Sequence, residues 1–446
     1  MLRDAADVIE PVHGEVGRPA RWAWAVAVLA VCHAAAVATF QILNILVEPI
    51  KASLHVSDTQ YSLMQGLAVA IFASLLGIPA ARVADRGNRR LVVLVGVVTW
   101  SAASVAGAAA QSSSQLFAAR MLVGLGEAFL YPAALSMIAD LAPPHRLATA
   151  VGAFGCGGPV GTALALIGGG WLVRNQGRIA GDFPWVAGEV WRTAFLLCGA
   201  FGAGAAALLL SVSEPGHPRI AESSDSYLGA TVSHVRQHWK VFAGVSGAML
   251  ALSYCVFATS SWSPTMLVRV HGMTYASVAP ITGLAALIGG ALGAWVSGIA
   301  TDRIAASGHR DAALQVAMAV AALILLTTLG AVLLPSAGWA AMSLCITYAL
   351  LGVPTVLGGT ALQQISPPAI RAQVMAVQVL LVNLIALSLG PFTVAALTDY
   401  FFRRPGAVGY ALLWTNGLGA SAAIAAILAC RRLFSEQRRR ESPELS

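Results

Sequence analysis

The chain has 446 residues, of which 57% are hydrophobic and only 11% charged, with a formal net charge of +7. A charged share so far below the roughly 25% of soluble domains excludes an ordinary water-soluble protein and points to one largely immersed in lipid. The basic residues sit in short loops between apolar runs and not on one basic domain, which argues against a nucleic-acid partner.

The N-terminal tail, 1–21, lacks the short apolar region and small-residue cleavage site of a signal peptide. Apolar runs of bilayer-spanning length then predict twelve helices, at 22–47, 60–82, 91–110, 115–139, 147–173, 191–212, 241–268, 277–300, 312–334, 339–362, 372–397 and 408–430. The fold class expected is all-α, a polytopic membrane protein of twelve spans in two six-helix bundles, 22–212 and 241–430. Between them, 213–240 is the longest hydrophilic interruption, read as a cytoplasmic loop whose second half, about 227–239, forms a short interfacial helix. A tail, 431–446, follows the last span. The six cysteines all fall in apolar runs and read as small packing residues, with neither a disulfide framework nor metal-ligand spacing.

An even number of spans puts both termini on one side. With that side cytoplasmic, 19 of the 27 Lys and Arg lie inside, 7 outside and Arg120 within a span, the bias expected of cytoplasmic loops. The chain is therefore expected in the cell (inner) membrane, multi-pass, with both termini cytoplasmic.

Span 2 opens on Ser57-Asp58-Thr59-Gln60, a capping-box pattern that fixes a helix end. Span 4 carries two charges, Arg120 and Glu127, seven residues apart and so on one helix face. An ionised side chain at that depth is costly and marks a pathway by default, so this face is expected to line a polar interior. In span 1, His33 lies near the midplane and shares a face with Asn44. Further polar or amphipathic groups at membrane depth are Thr39, Gln41, Gln65, Tyr131, Tyr254, Trp262, Tyr348, Gln378 and Asn383. Together with Asn44 they outline a cavity that is mostly apolar, with a few polar anchors for a substrate. In span 5, the glycines around Pro159 permit close helix approach.

The halves echo each other. Ala81, Asp85 and Arg86 after span 2 correspond to Gly298, Asp302 and Arg303 after span 8; Pro143, Pro144 and Arg146 correspond to Pro367, Pro368 and Arg371; and Gly158-Pro159 corresponds to Gly390-Pro391. Three landmarks in matching order indicate duplication into parallel halves.

The six-plus-six plan and the loop ARVADRGNRR, 81–90, resemble the major facilitator superfamily over nearly the whole chain, although Ala81 and Gly87-Asn88 depart from its signature. The resemblance implies that Asp85, Arg86 and Arg90, with Asp302 and Arg303 in the second half, act as a conformational latch. Val47 to Ala68, the form of that loop and Arg120 to Ala134 are most similar to the spinster-like branch, which includes exporters of lysolipids and sphingolipid signals. In that branch, residues matching Arg120 and Glu127 are implicated in proton coupling. Span 1 departs from it: Thr39-Phe40 stands where an Asp-Arg pair is common, leaving either Glu127 alone or Glu127 with His33 to carry protons.

With no phosphate-binding P-loop, no HExxH and no GxSxG, neither ATP-driven transport nor common hydrolase chemistry is supported, and no enzyme activity, cofactor or metal is expected. The function expected is secondary active transport by alternating access, proton-coupled, of an amphipathic or lipophilic small molecule that is lysolipid-like or an organic anion. Two alternatives are proton-linked uptake of a small organic carboxylate, with Arg120 as its anchor, and a non-transporting receptor or scaffold of the same fold. The partners expected are a small-molecule substrate, protons and the bilayer, with the protein a monomer.

Overall fold

The computed structural model of the protein describes residues 19–182, 189–214 and 224–441, and every element among them is a helix or turn. The twelve spans are Arg21–Ile45, Asp58–Gly77, Arg89–Ala108, Ser113–Leu141, Pro144–Arg174, Val190–Leu209, Trp239–His271, Tyr275–Ala306, Ala312–Leu333, Ala337–Gln364, Gln373–Phe402 and Pro405–Arg439. The start of span 1 and the end of span 12 lie on one side, the termini face; the loops after spans 1, 3, 5, 7, 9 and 11 lie on the distal face.

Many span ends are fixed by local chemistry. Ser57 and Gln60 form the expected reciprocal capping box at span 2, with both bonds present. Asn88, Ser112 and Thr274 accept from backbone N–H groups at the starts of spans 3, 4 and 8. Each satisfies donors that a helix leaves unpaired.

Two boundaries extend past the hydropathy pattern. The second span's helix continues to Arg86 and the last helix to Glu441. Apolar content reports what sits in lipid, whereas the final helix continues into water because its basic end is anchored: Arg431 pairs with Asp311, and Arg438 Nη1 donates to the Arg310 carbonyl at 2.6 Å. The central helix, Ser224–Gln237, packs Val235 against the second bundle and leaves Val232 exposed, with Trp239, at the start of span 7, exposed as well.

Three apolar cores hold the molecule. One, around Leu29, Val97, Trp100, Leu130 and Phe154, belongs to the first bundle alone. Another, around Met249, Leu252, Val320, Leu357 and Ile427, belongs to the second alone. The third draws on both, joining Leu43, Leu46, Tyr61 and Trp191 to Trp262, Leu267, Val278 and Tyr348. Its members come from the distal parts of their spans, so the bundles share one core at the distal face and keep separate cores toward the termini.

Glycine allows the closest approaches. A Cβ at Gly157 would lie 2.6 Å from the Ala30 carbonyl oxygen and 3.0 Å from His33 Cβ, so span 5 rests directly on span 1, as the glycine-rich sequence of span 5 predicts.

Candidate functional site

Arg120 is fully buried on span 4. Its Nη1 donates to the Thr39 carbonyl at 3.0 Å and its guanidinium lies 5.9 Å from the centre of the Phe40 ring. Its Nε and Nη2 are buried and make no hydrogen bond. Two turns on, Glu127 is half-buried with Oε1 enclosed and unpartnered, and no ion pair within 4.0 Å joins it to Arg120. Charges at this depth normally pair or hydrogen-bond. Span 4 thus holds unused donors and an unused acceptor on the face turned to span 1.

Span 1 supplies the opposite wall. His33 Nδ1 lies 3.0 Å from the Phe154 carbonyl oxygen; because a carbonyl only accepts, Nδ1 carries a proton and donates it there. The imidazole stacks on Phe154 at 4.8 Å and meets the edge of Tyr131 at 5.6 Å. Tyr131, one turn after Glu127, is 51% exposed. His33, Tyr131 and the Glu127 helix face therefore stand together midway through the first bundle. Thr39 is buried and its hydroxyl donates back to Ala35 O at 2.9 Å, so its carbonyl, not its side chain, meets Arg120.

Toward the distal face the polar groups bridge the bundles. Asn44 Nδ2 donates to Gln41 Oε1 at 2.9 Å and to the Ser260 carbonyl of span 7 at 3.1 Å, while Gln65 Nε2 donates to Asn44 Oδ1. Gln65 sits in a widened, π-helical turn, Leu63–Leu67. There Gly66 abuts the Leu387 carbonyl of span 11, an approach that any side chain at this position would block.

In the second bundle the candidates are spread out. Trp262 Nε1 donates to Pro391 O at 2.9 Å, and the Tyr348 hydroxyl lies 3.1 Å from Ser263 Oγ. The half-buried Tyr254 packs against Gly390 and Gly419. Gln378 is buried with both amide atoms unpartnered, and the half-buried Asn383 occupies another widened turn, Val382–Ala386. Trp262, Tyr348 and Tyr254 are held by neighbouring helices, whereas Gln378 has hydrogen-bonding capacity to spare.

Above this region lies a cluster that the sequence reading did not single out. Arg269, at the end of span 7, donates from Nη1 and Nη2 to the two oxygens of Asp58 at 2.6 and 2.9 Å, and from Nε to Glu48 at 2.6 Å. Lys51 also pairs with Asp58. Beside them, Asp399 of span 11 accepts from the Thr59 backbone N–H and hydroxyl, both at 2.7 Å. All of these bonds but Lys51–Asp58 join the two bundles. The available signal was a set of charges at span ends, but their partners lie hundreds of residues apart in sequence.

At the termini face the ion pairs found among the described residues stay within one bundle. Arg89, in the basic loop 81–90, is fully buried: it pairs with Asp140 at 2.5 Å and Glu214 at 3.2 Å and donates to Ser136. Glu214 also accepts from the Arg89 and Arg90 backbone N–H groups, placing a carboxylate at the start of span 3. Arg90 Nη1 donates to Val212 O at 2.9 Å, within the first bundle. The side chains of Asp85 and Arg86 lie outside the described residues, and Asp302 and Arg303 are exposed at the end of span 8. The two bundles are thus joined at the distal face by charge pairs and a shared core, and no such inter-bundle pair occurs at the other face among the described residues.

A family model described as Major Facilitator Superfamily matches residues 29–391. An MFS-type efflux pump of Mycolicibacterium smegmatis is 30% identical over 389 residues, 83% of each chain. Protein spinster homolog 3 of Danio rerio is 27% identical over 223 residues, 48% of this chain and 42% of that protein. A crystal structure of a bacterial homolog to human lysosomal transporter Spinster, described as inward-facing and occupied, aligns with TM-score 0.75 and 24% identity, covering 96% of this chain and 98% of the other. Spinster-like proteins are therefore among its relatives, in line with the sequence resemblance.

Proposed function

The chain belongs to the major facilitator superfamily, and from that premise we propose that it is a proton-coupled transporter of an amphipathic or lipophilic small molecule, working by alternating access. It is a transporter and not an enzyme, as its family and fold are. The observation that carries the finer reading is the half-buried Glu127, whose Oε1 is buried without a partner one turn before the Tyr131 that meets His33, and two turns from a buried Arg120 with unused donors. Such a carboxyl can take up and release a proton, and Arg120 can receive the negative charge of a cargo or of Glu127 itself when the helices shift. The mostly apolar surroundings suit a lysolipid-like molecule or a lipophilic organic anion.

In this reading the structure is the inward-facing member of the cycle, with both termini cytoplasmic. Proton entry along a potential of 100 mV supplies about 2.3 kcal/mol per charge, enough to sustain a concentration gradient of more than tenfold. Asp85, Arg86 and Arg90 with Asp302 and Arg303 are then the groups that face each other as the termini side closes.

The test is proteoliposomes loaded with a pH-sensitive dye and challenged with a lysolipid or with a hydrophilic organic acid. The expected result is lysolipid-dependent proton flux that is lost in Glu127→Gln. Flux that survives the substitution removes Glu127 from the mechanism. The two unpaired nitrogens of Arg120 favour one second reading, a small carboxylate as cargo, which the hydrophilic acid would reveal.

A further inference from the structure

Spans 5 and 8 meet in a seam at the distal half. Gly170 abuts Ala279 and Tyr275 there, and a Cβ at Gly283 would lie 2.6 Å from Ile167 Cγ1, so the two helices are in direct contact. Along the outer side of this seam runs an almost wholly apolar groove of about 450 Å³, walled by Val160, Leu164, Ile167 and Trp171 of span 5 and Leu287 of span 8. At its distal end the same Trp171 forms the wall of a second cleft, of about 500 Å³, whose other lining residues include Arg174, Asn175 and Arg178.

Residues 160, 164, 167, 171 and 174 succeed one another at three- and four-residue steps on the helix Gly157–Arg174, and Arg178 follows on the next short helix, Gln176–Asp182, so the apolar groove and the cationic cleft meet at Trp171. Arg174 and Arg178 are exposed, and neither makes an ion pair or hydrogen bond among the described residues. Asn175 Nδ2 is occupied by the Trp171 carbonyl at 2.8 Å, leaving its oxygen free. Trp171, 58% exposed, stands where the apolar part gives way to the charged part, the position of an interfacial aromatic anchor.

We propose that this groove and cleft bind one anionic glycerophospholipid of the distal leaflet, with its phosphate between Arg174 and Arg178 and an acyl chain along Leu164 and Ile167. An apolar flank alone accepts any lipid tail. Two exposed guanidinium groups at its polar end, unpaired among the described residues, select for negative charge, and guanidinium matches phosphate through paired N–H donors. Because span 5 belongs to the first bundle and span 8 to the second, the seat exists only while the distal seam is closed. A ligand that needs both walls favours that closed form.

The experiment is native mass spectrometry of the full chain, equilibrated with equimolar phosphatidylglycerol and phosphatidylcholine of identical acyl chains. One retained phosphatidylglycerol is expected, favoured over phosphatidylcholine by about fivefold or more. In the double variant Arg174→Ala/Arg178→Ala the ratio should fall to near one. Gly168→Phe places a ring in the groove at a position where a Cβ meets no atom within 4 Å; there, retention of both lipids should fall. Removing Arg404, exposed on the same face, should leave the ratio as it was. A wild-type ratio near one, the signature of annular lipid only, overturns the proposal, as does a preference that persists in the double variant.

Discussion

Arg269 and Asp58 face each other across the two bundles through parallel hydrogen bonds of 2.6 and 2.9 Å, with Asp58 almost completely removed from solvent. Paired N–H donors on one carboxylate make a strong, directional contact. Neutralising Asp58 leaves Arg269 with Glu48 alone and takes from Lys51 its partner, so the state that contains the cluster loses part of the about 3–5 kcal/mol that breaking an isolated buried pair costs. Asp58→Asn should therefore raise the share of molecules open at the distal face. Spin labels at His55 and Thr274, exposed positions on opposite bundles, are expected to show a longer distance population in the variant. An unchanged distance distribution would remove the pair from the closure.

Arg120 offers a separation of stability from transport. One of its nitrogens is satisfied by Thr39 O while two are buried and unused. Replacing a poorly paired buried charge with an apolar side chain of similar volume is commonly neutral or stabilising by about 1–4 kcal/mol. Arg120→Met is expected to melt within a few degrees of the wild type or above it, yet to lose substrate-driven proton flux. Arg120→Lys keeps the charge and loses the planar fork, so flux should be reduced and not abolished. A large loss of thermal stability in Arg120→Met would show that the residue holds the fold together.

How much of this was legible in the chain follows from the range of each interaction. The twelve spans were, because a bilayer imposes a length of apolar sequence that no tertiary contact needs to confirm. Arg120 and Glu127 were, because a charge in such a run is conspicuous wherever it points. The burial of Arg89 was not: its position in a basic loop says nothing of Asp140 and Glu214, which pair with it. The pairing of Thr59 with Asp399 was not legible either, since 340 residues separate them and neither is unusual at a span end.

Two glycines of span 8 predict opposite effects for the same substitution. At Gly293 an added Cβ would run into the Ala349 carbonyl group of span 10, backbone that no rotamer can move aside. Overpacking of this kind costs about 1–3 kcal/mol, so Gly293→Ala should lower the melting temperature. At Gly298 nothing lies within 4 Å of the added carbon, and the residue is within a helix. Gly298→Ala should raise stability by about 0.4–1 kcal/mol through the unfolded state. Melting curves of the two variants in one detergent check the pair, and a destabilised Gly298→Ala would refute the contrast.

Asp311, at the start of span 9 on the termini face, predicts a pH dependence. Burial acts to raise its carboxyl, but hydrogen bonds from Gln315 and Arg431 and the charge of Arg431 outweigh it and hold the group below its ordinary 3.8. A carboxylate depressed in the folded state contributes stability that is complete above the unfolded value and lost as pH falls through the folded one. Wild type should therefore melt above Asp311→Asn at neutral pH, by an amount that stays level down to about pH 4 and shrinks below it. Arg431→Gln should reduce the same difference at neutral pH, since it removes the main opposing charge. Melting temperatures of the three proteins between pH 3 and pH 7 supply the measurement; a gap between wild type and Asp311→Asn that grows on acidification would have the wrong sign for this pairing.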